Sequence, residues 1–225
     1  PEAKRSAKDF TRNRKLPFHK LIAFILSLSA GGTSKGVDIK SGEFFKCARR
    51  SGLWPDAQEV HRSGFSRARK KVSWTIFRDI LRQAVELAYS LFPRDPSFVW
   101  HGMPVFAFDG SKYDLPATLE IREEFDPRSG FQYEGRGHFP QCLVTTVYDV
   151  FRRLPVARSV VSIHGSERDQ AVDLLPLLPP RSVLLFDRGY PSYELICHLR
   201  ENHKGYFLFR CPAESTFSAV EAFVR

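Results

Sequence analysis

Val183-Leu184-Leu185-Phe186-Asp187-Arg188-Gly189-Tyr190 is a short apolar run that ends in Asp, and Val105-Phe106-Ala107-Phe108-Asp109-Gly110-Ser111 has the same form earlier in the chain. Four apolar residues bounded by turn formers read as a buried strand. A carboxylate directly after such a strand stands at the carboxyl edge of a sheet, where α/β proteins keep their chemistry. Two of them on neighbouring strands make the core of a divalent-metal site. The alternative for each Asp is a turn or cap residue.

On either side of these stretches the pattern is three strands, helix, strand, helix, strand. The predicted strands cover 103–108, 142–150, 154–163, 183–186 and 206–210. The second alternates through Cys142, Val144, Thr146 and Tyr148, and a long polar loop, 112–138, precedes it. Ser166-Glu167-Arg168-Asp169 has the form of a capping box, opening a helix whose buried positions are Ala171, Val172, Leu174, Leu175 and Leu178. Residues 191–202 form the next helix. Strands joined by short turns pair antiparallel, and strands separated by helices pair in parallel. The predicted fold class is therefore α/β, a ribonuclease-H-like mixed sheet. Its fourth strand lies beside its first, which brings Asp109 and Asp187 to one edge.

The first hundred residues read as helices. Pro17 opens one in which Phe18, Leu21, Ile22, Phe24, Ile25 and Leu28 recur at helical spacing. Residues 42–50 form a second. A longer helix is expected from near Asp56, with Trp74, Phe77, Leu81, Ala84, Ala88 and Leu91 as its packing stripe. Just before the stripe, Ser66-Arg67-Ala68-Arg69-Lys70-Lys71 carries four cations in six residues. That suits a helix-turn-helix element and equally a solvated basic turn. Pro93 and Pro96 mark a linker. The expected division is a helical basic domain over 1–97, the catalytic core over 98–211, and the start of a further segment over 212–225.

Charge follows the same division. The chain of 225 residues has formal net charge +9. Residues 1–100 hold 20 Lys+Arg against 9 Asp+Glu, and the remainder 14 against 16. A basic first half ahead of a near-neutral second half suits a polyanion-binding module, with nucleic acid as the expected polyanion. Cys47, Cys142, Cys197 and Cys211 have no paired spacing, so neither zinc nor a disulfide framework is indicated. The apolar stretch 21–28 is far too short for a membrane span.

Phosphodiester chemistry requires charge neutralisation on the phosphoryl oxygens and a nucleophile in line with its leaving group. Two divalent cations held by carboxylates supply both. Asp109 would bridge the ions and Asp187 would take one; a third carboxylate is needed for the other. An aspartate-nucleophile phosphatase would need an acid two residues after Asp109, where Ser111 stands. His164 and Glu167 lie near the sheet edge and could reach the site, although capping also explains Glu167. His198 and His203 share no helical face. Glu120, Glu123, Glu124 and Asp126 read as a solvated loop face, and Arg128, Arg136 and His138 could touch nucleic acid.

Several ordered stretches resemble the DDE transposases of bacterial insertion sequences, in particular the insertion-sequence-four (IS-four) family. They are Asp9-Phe10-Thr11-Arg12-Asn13-Arg14-Lys15-Leu16, Phe65 to Lys71, Phe108-Asp109-Gly110-Ser111, Tyr148-Asp149-Val150, His164 to Ala171, and Asp187 to Leu195. The resemblance implies a metal-dependent cut-and-paste DNA transposase. Asp109 and Asp187 would be catalytic and hold Mg²⁺ or Mn²⁺, two ions in the complete site. Water would cut at the element's end, and the freed 3′-hydroxyl would attack target DNA. Double-stranded DNA is the partner, transposon ends and target alike. The terminal inverted repeats would meet Arg12, Arg14, Lys15, Arg67, Arg69, Lys70 and Lys71. Arg188 and Tyr190 would lie near the scissile phosphate, with sheet-to-helix packing the alternative for Tyr190. A homodimer assembled on DNA, no membrane, and a cytoplasmic, nucleoid-associated location in a bacterium are also implied.

The family's catalytic Glu sits on a later helix beyond a β-rich insertion, and no stretch here matches that helix. Glu214 and Glu221 follow Asp187, but Ser218-Ala219-Val220-Glu221-Ala222-Phe223 looks like the entrance to the insertion. The expectation is a core truncated before its final catalytic helix, with DNA binding retained and cleavage weak or absent. A transposase remnant that binds DNA without catalysis is the alternative.

Overall fold

The computed structural model describes residues 3–11, 14–30, 36–92, 95–126, 139–212 and 217–224. The expectations for Arg12, Arg128, Arg136, His138 and Glu214 lie outside these residues. The chain divides into two compact units, Pro1–Ile80 and Leu81–Arg225.

The first unit is helical. Helix α1 (Phe18–Ala30) follows Pro17, whose carbonyl accepts the first helical bond from the Leu21 N–H at 3.0 Å. Helix α2 (Val37–Arg50) starts earlier than expected, with a first turn that carries Asp38 and the exposed Ile39. Helix α3 (Arg62–Arg69) is capped by His61, which accepts from the Ser63 N–H. The long helix expected from Asp56 is instead two helices. Residues 70–74 separate α3 from α4 (Thr75–Leu91), with buried Val72 bridged to Lys4. The core joins Leu21, Phe24, Phe45 and Phe65, with Ile76, Phe77 and Ile80 of α4 packed against it. The packing stripe is thus shifted from the expected one: Trp74 is 71% and Leu91 64% exposed.

The second unit is a five-stranded mixed sheet with helices, compatible with a ribonuclease-H-like fold. The strands are β1 (Val105–Asp114), β2 (Gln141–Asp149), β3 (Leu154–Ser162), β4 (Val183–Phe186) and β5 (Tyr206–Phe209), in spatial order β3-β2-β1-β4-β5. Strands β1, β2 and β3 form an antiparallel meander, while β4 pairs in parallel with β1 and with β5. Helix α5 (Leu119–Phe125) precedes β2, α6 (Glu167–Leu174) joins β3 to β4, and α7 (Tyr193–Asn202) joins β4 to β5. Residues 218–224 form α8 (Ser218–Val224).

Two details differ from the strand pattern. Strand β1 does not stop at Phe108; residues Asp109 to Asp114 pair with β2, so the polar loop begins later and contains α5. Backbone pairing, not side-chain preference, carries these polar residues. On β2 the face buried with the core carries Leu143, Thr145, Val147 and Asp149, the parity opposite to that expected. Both faces of a central strand carry apolar residues, so alternation alone did not decide.

The core lies between the sheet and helices α6 and α7, and contains Phe106, Phe108, Leu184, Phe186, Leu174 and Leu199. Burying each such side chain contributes about 1.5–3 kcal/mol. Across three adjacent strands the rings of Phe108, Phe186 and Phe209 stack, with centroids 4.7 and 4.9 Å apart, each contact adding about 0.5–1.5 kcal/mol. At the end of β2, fully buried Asp149 accepts from the Tyr89 hydroxyl at 3.1 Å and pairs with Arg152 at 3.2 Å. The Arg152 guanidinium lies over the rings of Tyr89 and Phe98, 4.8 and 4.9 Å from their centroids. The pair is supported by the Tyr89 hydroxyl and by the Arg152 backbone N–H, which donates to Asp149 Oδ1 at 2.9 Å, while Arg152 Nε is left without a partner among the described residues.

Candidate active site and nucleic-acid interface

Phe108 pairs with Phe186 in the parallel register of β1 and β4. The next residues are Asp109 and Asp187, so the two carboxylates stand side by side at one edge of the sheet, both exposed. Asp109 remains within β1, opposite Thr146 of β2. Asp187 opens a turn in which its carbonyl accepts from the Tyr190 N–H at 3.0 Å. Arg210 Nη1 lies 3.6 Å from Asp187 Oδ1, a half-exposed ion pair worth little by itself.

A third carboxylate reaches this edge. Ser166 caps α6 by accepting from the Arg168 and Asp169 N–H groups, and Glu167 leans over the strand ends. A β-carbon at Gly110 would overlap the Glu167 carboxylate, and one at Gly189 would lie 3.8 Å from Oε2. Arg168 donates to the Gly189 carbonyl at 3.1 and 3.3 Å. Sequence spacing could not separate this placement from capping; the glycine one or two residues after each Asp is the signal that could have found it.

Other expected residues fall elsewhere. Tyr190 is 1% exposed and packs on Phe186, with ring centroids 5.4 Å apart, so it is a core residue and not a DNA contact. Burial first, then the negative charges of Glu167 and Asp109, hold its phenol well above its ordinary value. Arg188 is exposed beside Asp187. His164 pairs with Asp126 at 3.6 Å, and Asp126 is buried, not solvated as expected. His203 bonds to the Ser182 carbonyl at 2.9 Å.

Hard oxygen donors on adjacent strands suit Mg²⁺ or Mn²⁺. Among the described residues no three His, Cys, Asp or Glu side chains are grouped so as to enclose an ion.

In the first unit, Arg14, Lys15, Arg67 and Lys71 line one cleft of about 1190 Å³, together with Lys8 and Lys20. Asp56 is the acidic residue in its lining. Lys71 also pairs with Asp9 at 3.0 Å. Arg69 and Lys70 are outside the lining; Arg69 lies over the Phe65 ring, 5.9 Å from its centroid. No described helix is long and apolar enough to cross a membrane.

Residues 100–219 match the family model "Transposase DDE domain". The chain is also 25% identical over 145 residues to "Putative transposase InsZ" of Escherichia coli (strain K12), an alignment covering 64% of this chain and 46% of that protein. The chain thus spans about half the length of this curated relative. Adjacent strands that each deliver an aspartate to one sheet edge lie within the matched region, which is more than half of the sequence, and the chain belongs to the DDE-domain transposases.

Proposed function

We propose that this chain provides DNA binding and the first two catalytic carboxylates of an IS-four-type transposase. The observation that carries this reading is the register of β1 and β4, which sets Asp109 and Asp187 side by side. Asp109 and Asp187 would hold Mg²⁺ or Mn²⁺. When bound, the cation neutralises charge on the phosphoryl oxygens and makes a coordinated water more acidic. Arg188 positions the DNA strand beside the aspartates. Strand cleavage, followed by attack of the freed 3′-hydroxyl on a target phosphodiester with departure of the target's own 3′-oxygen, is the reaction supported by family membership.

The cationic cleft of the first unit is the site proposed for the terminal inverted repeats. Its cations come from two separated stretches, around Arg14 and around Arg67, which a merely solvated turn does not require. A homodimer assembled on DNA and a cytoplasmic, nucleoid-associated location belong to the same proposal.

A second reading, DNA binding without cleavage, is favoured by the Arg210 guanidinium at Asp187. One experiment separates the two: Mg²⁺-dependent nicking of DNA carrying the element's end, with Asp109→Ala as control. Specific nicking lost in that variant supports the enzyme. Salt-sensitive binding with no nicking supports the second reading. Binding that ignores salt sinks both.

A further inference from the structure

The first turn of α6 touches both aspartate-bearing segments. Gly110 follows Asp109 directly, and Gly189 lies two residues beyond Asp187. Glu167 fills the space above the first and faces the second, while Arg168 holds the second through its carbonyl. Capping does not need Glu167, because the Ser166 hydroxyl already takes the N–H groups of Arg168 and Asp169.

An observation independent of the carboxylates points to the same place. The hydroxyls of Tyr190, 1% exposed, and of fully buried Thr145 face each other and Glu167, but none of these contacts has good hydrogen-bond geometry. Thr145 lies opposite Gly110 in the β-ladder, and Glu167 and Asp109 are the negative charges that bear on the Tyr190 phenol. A buried hydroxyl whose hydrogen bonds are poorly formed is costly, so two of them beneath the Glu167 carboxylate mark a polar site and not simple packing.

We propose that Glu167 is a third carboxylate of the divalent-cation site, a fixed negative charge that strengthens cation binding by Asp109 and Asp187 from outside the direct ligand set. This rests on the two aspartates holding the cation. Mg²⁺ keeps several of its waters when bound by one or two carboxylates, and a carboxylate beyond direct reach accepts hydrogen bonds from those waters. The two glycines make this possible: a side chain at Gly110 would displace Glu167 from the edge. Loss of a partner outside the direct ligand set typically weakens metal affinity by about 10–100-fold.

The test is Mn²⁺ titration of the whole chain by calorimetry, with melting of the Mn²⁺-free proteins alongside. Glu167→Gln is expected to weaken Mn²⁺ binding about tenfold with little change in melting temperature. Glu167→Asp, which keeps the charge, recovers most of the affinity. Gly110→Ala, which alters no charge, weakens binding as Glu167→Gln does. If Glu167→Gln or Gly110→Ala binds Mn²⁺ as the unmodified chain does while Asp109→Asn has lost binding, Glu167 is a packing residue and the proposal falls alone. If Asp109→Asn binds Mn²⁺ undiminished, the aspartate site itself is wrong and the proposal falls with it.

Discussion

Phe108 and Phe186 stack at 4.7 Å across the parallel β1–β4 pair, and each is followed by an aspartate. The aromatic contact below and the carboxylate pair above are set by one backbone register. A slip of one residue would turn Phe108 out of the core and separate the aspartates, so packing energy enforces the site geometry.

Phe186→Ala is therefore expected to destabilise the sheet unit by about 3–5 kcal/mol, because it empties the middle of the three-ring stack. Urea unfolding measures this. A loss below 1 kcal/mol would show that the stack does not hold the register.

Asp109→Asn and Asp187→Asn keep size and shape at exposed positions, so neither should lower stability appreciably. Each is expected to weaken divalent-cation binding by more than about a hundredfold, beyond what loss of an outer partner does. DNA binding, measured by fluorescence anisotropy in the absence of metal, should be unaffected. Equal loss of DNA affinity would place these residues in the DNA interface instead.

Arg67→Ala and Lys15→Ala each remove a cation from the cleft. Each should weaken binding across all DNA sequences and lower the slope of log affinity against log salt by about 0.9 per lost phosphate contact. Arg69→Ala, which removes a side chain outside the lining, should change that slope less. Identical behaviour of Arg69→Ala and Arg67→Ala would argue against the cleft as the binding surface.

Alkaline conditions should unfold the sheet unit early. Tyr89 and Tyr190 are held above the ordinary phenol value of 10.0, chiefly by burial and then by Asp149 for Tyr89 and by Glu167 and Asp109 for Tyr190. Above pH 10 the unfolded chain releases these protons while the folded chain keeps them. Stability is thus undiminished below pH 10 and falls as pH rises from there toward the folded values. Chemical unfolding between pH 8 and 11.5 should show the fall, and Tyr89→Phe should reduce it. A flat profile would mean that these hydroxyls are not desolvated in the fold.

The five strands and the aspartates that follow two of them were legible because apolar runs and turn residues are local signals, and the place of the fourth strand beside the first followed from the ribonuclease-H-like pattern. The cap at Ser166 was equally local. What escaped the sequence depends on distant partners. Residues Asp109 to Asp114 are strand because β2 lies alongside them. The break between α3 and α4 follows from the burial of Val72 and its bridge to Lys4. Glu167 reads as an ordinary first-turn acid until the two glycines from other segments are seen beneath it.

The strand order β3-β2-β1-β4-β5 has a practical consequence. The two aspartates ride on the inner strands, each with a neighbour on both sides, and the outermost strands carry neither. Amide exchange at Phe108 and Phe186 should then be among the slowest in the unit. Spectroscopic labels or short insertions along the outer border of β3 should leave the aspartate pair undisturbed, whereas β5 is unsuitable because Phe209 belongs to the ring stack and Arg210 reaches Asp187.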